Sequence, residues 1–259
     1  MSPHAAPPKL HGCYVISLRP VGGHAPLRRA AATLGARTLA LSPWRIAPRD
    51  DAETRRALRD ALRADTVVFT SPAAVRATSA LQALRPRRGQ AWLAVGAGTA
   101  SALRRAGIDD VQAPARMDSE GLLDLPALRD VRGRTIALVT APGGRGVIAQ
   151  ALQARGATLQ RADVYARVPV SPAAAAVARL RTLGSTPLLL ALSSGEALLG
   201  VLAALPSDAA TRLRGARVLA ASERLATLAR DHGFGDVVVA ADARPRSLLA
   251  VAAPPVAPR

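Results

Sequence analysis

The feature that most constrains the fold of this chain is a regular alternation of short apolar runs with amphipathic segments. The apolar runs have the length of strands and are continuous, and the segments between them carry apolar residues at helical spacing. Continuous apolar strands separated by helices are typical of parallel sheets that helices cover on both faces. The pattern therefore predicts an α/β protein.

The alternation predicts eight strands and eight helices. The predicted strands are 14–18, 38–41, 66–70, 92–95, 135–139, 188–192, 217–220 and 237–240. The predicted helices are 25–34, 52–63, 73–84, 99–106, 145–155, 173–183, 195–205 and 223–231. Aromatic residues make up only 2% of the chain, so we expect a core of aliphatic side chains.

The same pattern occurs twice along the chain. Four pairs of residues in equivalent contexts are each 121 positions apart: Gly22 and Gly143, Gly35 and Gly156, Trp44 and Tyr165, and Pro48 and Pro169. The turn 20–23 matches 142–144, and the strand end 68–71 matches 191–194 at a slightly larger offset of 123. Two homologous halves in 259 residues predict two similar α/β domains.

The chain is strongly basic, with a formal net charge of +17 at pH 7, and Lys9 is its only lysine. Arginine in place of lysine, with abundant alanine, is what a biased genome composition produces without functional demand. The arginines are also scattered over many predicted helices instead of forming one stripe with stacking aromatics, which weakens a nucleic-acid interpretation. A small partner carrying several carboxylates stays open, because a positive field would attract it.

Nothing in the sequence predicts a membrane span, because the longest apolar runs, such as 187–192, are far shorter than the roughly 20 residues that a bilayer requires. Residues 1–9 lack the features of a secretory signal, and Cys13 has no second cysteine for a disulfide. We therefore expect a cytoplasmic protein.

Small polar residues and glycines follow four of the predicted strands, where ligands bind in open parallel sheets. These turns are 19–23, 69–72, 95–100 and 192–195. Their backbone N–H groups and hydroxyls can bind anions. Gly96 and Gly98 match half of a dinucleotide fingerprint, but Ser101 occupies the third glycine position, so no nucleotide site is expected.

In the order and spacing of these motifs the chain resembles the uroporphyrinogen-III synthase family, from about residue 14 to residue 250. The resemblance rests on Leu18-Arg19-Pro20, Val68-Phe69-Thr70-Ser71-Pro72-Ala73-Ala74-Val75, Val95-Gly96-Ala97-Gly98-Thr99-Ala100, Gly107-Ile108, Asp163-Val164-Tyr165-Ala166-Arg167 and Ser222-Glu223-Arg224-Leu225-Ala226 with Gly233. It implies two flavodoxin-like or Rossmann-like domains joined by two crossing segments. The expected first domain is discontinuous, comprising 1–43 and 170–259, the second is 47–165, and the crossings lie near 42–48 and 164–169.

The resemblance also implies an activity, the cyclisation of hydroxymethylbilane to uroporphyrinogen III with inversion of ring D and loss of water. The substrate is a linear tetrapyrrole with eight carboxylates, which would give the basic charge a function. This hydro-lyase chemistry implies no cofactor and no metal, and Cys13 and the dispersed histidines His4, His11, His24 and His232 have no ligand spacing. We expect a monomer without nucleic-acid or membrane partners.

Tyr165 matches the family's tyrosine, which the resemblance places at a crossing segment and at the cleft. A phenol is protonated at neutral pH and could assist departure of the hydroxyl as a general acid, although a tyrosine there could equally pack a hinge. We expect the following residues to bind substrate: Arg19, Thr70, Ser71, Gly96, Thr99, Ser193, Ser194 and Arg224. Ser71 and Thr99 match hydroxyl positions at the family's cleft, whereas Arg19 follows a predicted strand and could bind a carboxylate through both arms of its guanidinium.

These expected binding residues also have plainer interpretations. The hydroxyls could cap helices, and Arg19 could form a surface salt bridge. Arg224 stands where the first copy has Thr99, so the threonine contact is absent in the second copy. The main alternative function is a two-lobed tetrapyrrole or polycarboxylate binding or sensory module without catalysis. Tyr165 favours the enzyme.

Overall fold

The structure, a computed structural model, describes residues 10–116, 119–143 and 146–252. It contains two compact units. The first holds the described residues up to Arg45 and from Val168 onward, and the second holds the described residues from Ile46 to Arg167. Each unit has a parallel sheet with helices packed on it, which confirms the predicted α/β fold class.

The described elements alternate between strands and helices along most of the chain. The strands are β1 (Tyr14–Ser17), β2 (Arg37–Ala40), β3 (Trp44–Pro48), β4 (Thr66–Phe69), β5 (Ala91–Ala94), β6 (Thr135–Thr140), β7 (Thr158–Asp163), β8 (Tyr165–Pro169), β9 (Leu188–Leu192), β10 (Arg217–Ala220) and β11 (Val237–Val239). The helices are α1 (Ala25–Ala32), α2 (Ala52–Ala61), α3 (Pro72–Leu81), α4 (Ala97–Arg105), α5 (Ser119–Leu123), α6 (Val147–Ala154), α7 (Ala174–Thr182), α8 (Gly195–Ala204), α9 (Ser207–Arg214), α10 (Glu223–Asp231) and α11 (Pro245–Ala250), with a 3₁₀ turn at Pro126–Leu128.

Both sheets are parallel. The first unit has the strand order β11-β10-β9-β1-β2, and the second has β5-β4-β6-β7. The interior strands β4 and β9 are buried along their whole length, as strands covered on both faces must be. The strands β3 and β8 form a separate two-stranded sheet where the chain passes from one unit to the other.

The structure preserves the duplication seen in the sequence. Gly22 and its counterpart Gly143 have φ angles of 79° and 86°, and Gly35 and its counterpart Gly156 have φ angles of 80° and 84°. Positive φ is a conformation that residues with a side chain rarely adopt, so each pair marks an equivalent turn in the two units. The predicted match at Gly144 and the predicted helix start at Arg145 lie outside the described residues.

All eight predicted strands are present within one residue at either end, and β3 and β8 lie in the segments that were expected as crossings and not as strands. The sequence pattern missed β7. This strand forms the edge of the second sheet and pairs only with β6 among the described strands. Ala162 is its single buried residue, so β7 has no apolar run to reveal it. The helices α5, α9 and α11 were also not predicted.

Substitution at Gly35 tests the duplicated turn. A Cβ at this residue would lie 2.5 Å from the His11 ring, in a backbone conformation at φ 80°. We expect Gly35→Ala to destabilise the protein by about 1–2 kcal/mol, because the left-handed conformation penalises a side chain. Urea unfolding followed by circular dichroism measures the change.

Gly200 provides the matched control. It lies inside α8, and a Cβ there would make only an ordinary contact of 3.5 Å with Pro43. Gly200→Ala should stabilise the protein by roughly 0.5–1 kcal/mol, as alanine does in a helix interior. Equal effects of the two substitutions would contradict the assigned turn geometry.

Candidate functional site

Tyr165 and Ser71 meet at the carboxyl end of the second sheet. Tyr165 begins β8 and is 4% exposed, and Ser71 is the N-cap of α3, directly after β4. The Tyr165 hydroxyl lies 3.0 Å from Ser71 Oγ, and the Ala74 backbone N–H donates to the same Oγ at 3.0 Å. Ser71 therefore caps its helix and holds the tyrosine at the same time.

Thr70 extends this cluster of hydroxyls. It follows β4 and donates from Oγ1 to Thr140 Oγ1, 2.7 Å away at the end of β6. The pairing of β4 with β6 brings these two strand ends side by side. Thr70, Ser71, Thr140 and Tyr165 all line one cavity with a volume of about 260 Å³.

Two arginines also line this cavity. Arg161 projects from β7, where its Nε lies 3.0 Å from Asp163 Oδ1 and its Nη2 donates to the Ala141 carbonyl at 2.8 Å. Arg167 lies two residues after Tyr165 in β8, and side chains two residues apart project from the same face of a strand. The cavity thus combines a buried phenol, hydroxyl groups and guanidinium groups.

Gly96 and Thr99 lie at the next strand end of the same sheet, although neither is among the residues that line the cavity. Gly96 is the N-cap of α4, and Thr99 is buried within the first turn of that helix. The expected binding role of these two residues stays a prediction, as does that of the other expected contacts.

The expected contacts in the first unit follow its strands β9 and β10. Ser194 caps α8 and accepts a hydrogen bond from the Ala197 backbone N–H at 3.3 Å, and Ser193 directly precedes it. Arg224 is exposed in the first turn of α10. Capping therefore occupies Ser194 without excluding it from ligand contact, because a hydroxyl oxygen has two lone pairs.

Arg19 is a partly buried cation without a carboxylate partner among the described residues. It follows β1 by two residues, and burial lowers the pKa of its guanidinium. Within the described part of the chain, the surface salt bridge considered for Arg19 does not form. An arginine that loses hydration without gaining an ion pair is suited to an external anion.

A second hydroxyl cluster, which the sequence interpretation missed, surrounds His24. The imidazole Nδ1 lies 2.8 Å from Oγ of the fully buried Ser17, and Nε2 lies 2.9 Å from Ser42 Oγ. Ser17 ends β1, and Ser42 follows β2, so the parallel pairing of these strands brings both hydroxyls to one edge of the sheet. No sequence motif connects Ser17, His24 and Ser42 at these spacings. The only signal in the sequence is that His24 directly precedes α1, in a turn between a strand and a helix.

The electrostatics around His24 favour a neutral ring. Burial, and then the charges of Arg28 and Arg19, lower the pKa of His24 below its usual 6.5. A neutral imidazole has one donor and one acceptor nitrogen, and it can therefore link the two serines in a directed chain of hydrogen bonds. Chemically, this cluster can position hydroxyl groups beside the cationic Arg19.

The described residues offer neither a cluster of metal ligands nor a membrane-spanning helix. Within the described ranges, no group of three or more His, Cys, Asp or Glu side chains could hold a metal ion. None of the described helices is long and apolar enough to cross a membrane.

Comparisons with known proteins agree on one family. Residues 25–250 match the family model described as uroporphyrinogen-III synthase HemD. The chain is 35% identical over 161 residues to the uroporphyrinogen-III synthase of Salmonella typhimurium, a match that covers 61% of this chain and 65% of that relative's length.

Two solved structures are similar in fold. A mutant uroporphyrinogen III synthase from the extremely thermophilic bacterium Thermus thermophilus has a TM-score of 0.56 at 21% identity, covering 92% of this chain and 96% of that one. The uroporphyrinogen-III synthetase of Helicobacter pylori has a TM-score of 0.58 at 12% identity, with the same coverage. At these identities the likeness supports the two-unit α/β fold.

The lowered pKa of His24 predicts that acid destabilises the fold through this residue. The unfolded chain binds a proton more readily than the folded one, so the stabilisation is present above about pH 6.5 and is lost as the pH falls through the folded-state pKa. At pH 8, His24→Gln should cost about 1–2 kcal/mol, because the buried Ser17 hydroxyl loses its partner. The difference from the wild type should shrink between pH 7 and pH 5.

Urea unfolding at each pH measures this difference. Parallel stability curves for the wild type and His24→Gln would show that the ring does not carry the acid sensitivity.

Proposed function

Because the chain belongs to the uroporphyrinogen-III synthase family, we propose that it cyclises hydroxymethylbilane to uroporphyrinogen III, inverting the last pyrrole ring and releasing water. The observation that carries the proposal is the buried Tyr165 phenol, hydrogen-bonded to Ser71 at 3.0 Å in a cavity that arginines also line. A proton donor beside cationic groups suits a polycarboxylate substrate that must lose a hydroxyl.

The first chemical step is departure of the substrate hydroxyl, and Tyr165 is the proposed general acid. Ser71 Oγ accepts the Ala74 N–H, and its own proton can then point at the Tyr165 oxygen. In that arrangement the phenol proton is left for the substrate. Proton transfer from Tyr165 to the departing hydroxyl breaks the C–O bond and releases water, and it leaves an electron-poor azafulvene in its protonated, cationic form beside the Tyr165 phenolate.

The same contacts stabilise the charge that Tyr165 acquires. After proton transfer, the phenolate accepts a hydrogen bond from Ser71, which begins the ten-residue helix α3. The N-terminus of a helix carries partial positive charge and favours an adjacent anion. These contacts stabilise the phenolate until it takes up a proton again. That proton is the one that the far pyrrole ring loses from its free α carbon when the macrocycle closes, so the acid is regenerated.

Ring closure then depends on substrate conformation. The azafulvene is attacked by the substituted position of the far ring, and the resulting spiro intermediate fragments and closes in the inverted sense. Because the reactants are intrinsically reactive, the proposed task of the protein is to hold a folded conformer that spontaneous closure does not select.

Carboxylate binding would hold that conformer. We propose Arg19 as one ligand because it is partly buried and has no ion pair among the described residues. The proposed contacts at the other strand ends are Thr70, Ser71, Gly96, Thr99, Ser193, Ser194 and Arg224. Helix N-termini at these strand ends add backbone N–H donors.

We also propose that the two structural units are the two domains expected from the sequence. The expected domain limits, 1–43 with 170–259 and 47–165, differ by a few residues from the unit limits at Arg45 and Val168. The strands β3 and β8 would then be the two crossing segments.

Product analysis tests the activity directly. Purified protein is added to freshly made hydroxymethylbilane, and the type I and type III porphyrins are resolved after oxidation. We expect mainly the type III isomer without added metal or nucleotide. Exclusive formation of type I product by folded protein would reject the proposed activity.

Removal of the phenol hydroxyl tests the general acid. Tyr165→Phe should lower the turnover rate by about 10²- to 10⁴-fold with the fold intact, because general acid catalysis is typically worth that much. Trp44→Phe, at the equivalent position of β3, removes packing from a buried ring and should reduce turnover far less. Near-wild-type turnover in Tyr165→Phe, with Trp44→Phe the more damaged, would assign Tyr165 to hinge packing.

Besides its proposed substrate contact, Ser71 acts on the reaction through the Tyr165 phenol. Ser71→Ala should lower turnover less than Tyr165→Phe does, because the phenol remains but loses the hydrogen bond that stabilises its phenolate. Added to Tyr165→Phe, Ser71→Ala should lower turnover little further, because its partner is already gone. An equal loss of turnover in both backgrounds would limit Ser71 to capping α3.

A further inference from the structure

The amino end of the first unit's sheet carries a cluster of charge that the proposed reaction does not use. Tyr14 begins β1, Arg37 begins β2, and the register pairs these two residues directly. Arg179 reaches the same point from α7. The length of β1 separates Tyr14 from the Ser17 end of the strand by about 10 Å.

Two guanidinium groups converge here on one phenolic oxygen. Arg179 donates to the Tyr14 hydroxyl oxygen from Nη2 at 2.7 Å and from Nε at 3.3 Å, and Arg37 donates from Nη1 at 3.4 Å. The Arg179 Cζ also lies 5.3 Å from the centre of the Tyr14 ring. One neutral oxygen thus receives hydrogen bonds from two cations.

No carboxylate among the described residues neutralises either cation. Arg181, two residues after Arg179, does have a carboxylate partner, because Asp208 accepts hydrogen bonds from its Nε and Nη2 at 2.7 and 2.8 Å. The carboxylate of Asp208 is therefore already occupied. Arg37 and Arg179 keep a local charge of about +2, and like charges held close together favour an anion that binds both.

The cluster opens onto a cavity. Its volume is about 420 Å³, and its walls include Gly12, Gly35, Thr182 and Thr186 as well as the three clustered residues. Gly12 has a φ angle of 78°, and a Cβ there would meet nothing within 4 Å, so this wall carries no side chain. The space is sufficient for a small oxyanion that bridges the two guanidinium groups.

We infer that Tyr14, Arg37 and Arg179 form a second anion site, which takes a phosphate group. A phosphate dianion matches the charge of two arginines, its several oxygens can accept from both guanidinium forks, and the Tyr14 hydroxyl can donate to it once the arginines turn to the ligand. The hydrogen bonds from Arg37 and then Arg179 lower the pKa of Tyr14, in the direction expected of a cluster that favours negative charge. This site has no role in the proposed cyclisation, so its anion binding can be measured without the tetrapyrrole substrate.

Calorimetric titration with inorganic phosphate at pH 8 tests the site, with sodium chloride maintaining constant ionic strength. We expect saturable binding to the wild type, and at least a tenfold rise in Kd in the double variant Arg37→Gln/Arg179→Gln. Arg181→Gln removes one charge from the same helix and should keep Kd within about twofold of the wild type. No binding to the wild type, or equal binding to the double variant, would overturn the inference.

Ultraviolet titration of tyrosinate gives an independent readout at the site itself. Phosphate bound to the arginines should raise the pH at which Tyr14 ionises. This phosphate-dependent shift should be absent in Tyr14→Phe, which leaves Tyr165 as the only tyrosine. Titrations with glucose 6-phosphate and with succinate show whether the site binds a phosphate group or a carboxylate. Binding of either phosphate compound supports the phosphate assignment, whereas binding of succinate alone would replace it with a carboxylate site.

Discussion

The parallel pairing of strands is the constraint on which the rest of this structure depends. In a parallel sheet every strand runs in the same direction, so all carboxyl ends, and the helices that follow them, gather at one edge. The register of β4 with β6 brings Thr70 to Thr140, and that of β1 with β2 brings Ser17 to Ser42 through His24. This geometry therefore brings together hydroxyl groups that are far apart in the sequence.

The contact between Tyr165 and Ser71 connects local and long-range structure. Ser71 caps α3 for reasons that lie within a few residues of it, whereas Tyr165 reaches it from β8, 94 residues later. Because the cap fixes the serine oxygen, the phenol has a partner whose position is set by a helix rather than by a loop. The two plainer interpretations of these residues, capping and packing, are therefore compatible with the proposed chemistry.

Whether an arginine of this protein is available to an external anion depends on its local ion pairs, and the net charge of +17 does not indicate it. Arg161 and Arg181 each bind a carboxylate, while Arg19, Arg37 and Arg179 have none among the described residues. The unpaired arginines lie at opposite ends of β1 and of its neighbouring strands, which separates the proposed substrate contact from the inferred phosphate site.

The fold class, eight of the strands and the duplication could be predicted from the sequence, because continuous apolar runs and left-handed glycines depend on local chemistry. The sequence could not reveal β7, whose place depends on backbone pairing to β6 rather than on burial. It also identified Tyr165 and Ser71 only as separate residues in a family pattern. Their contact, the Ser17–His24–Ser42 cluster and the convergence of Arg37 and Arg179 on Tyr14 depend on tertiary structure, because strand pairing together with the packing of helices and connecting segments brings such distant side chains within hydrogen-bonding distance.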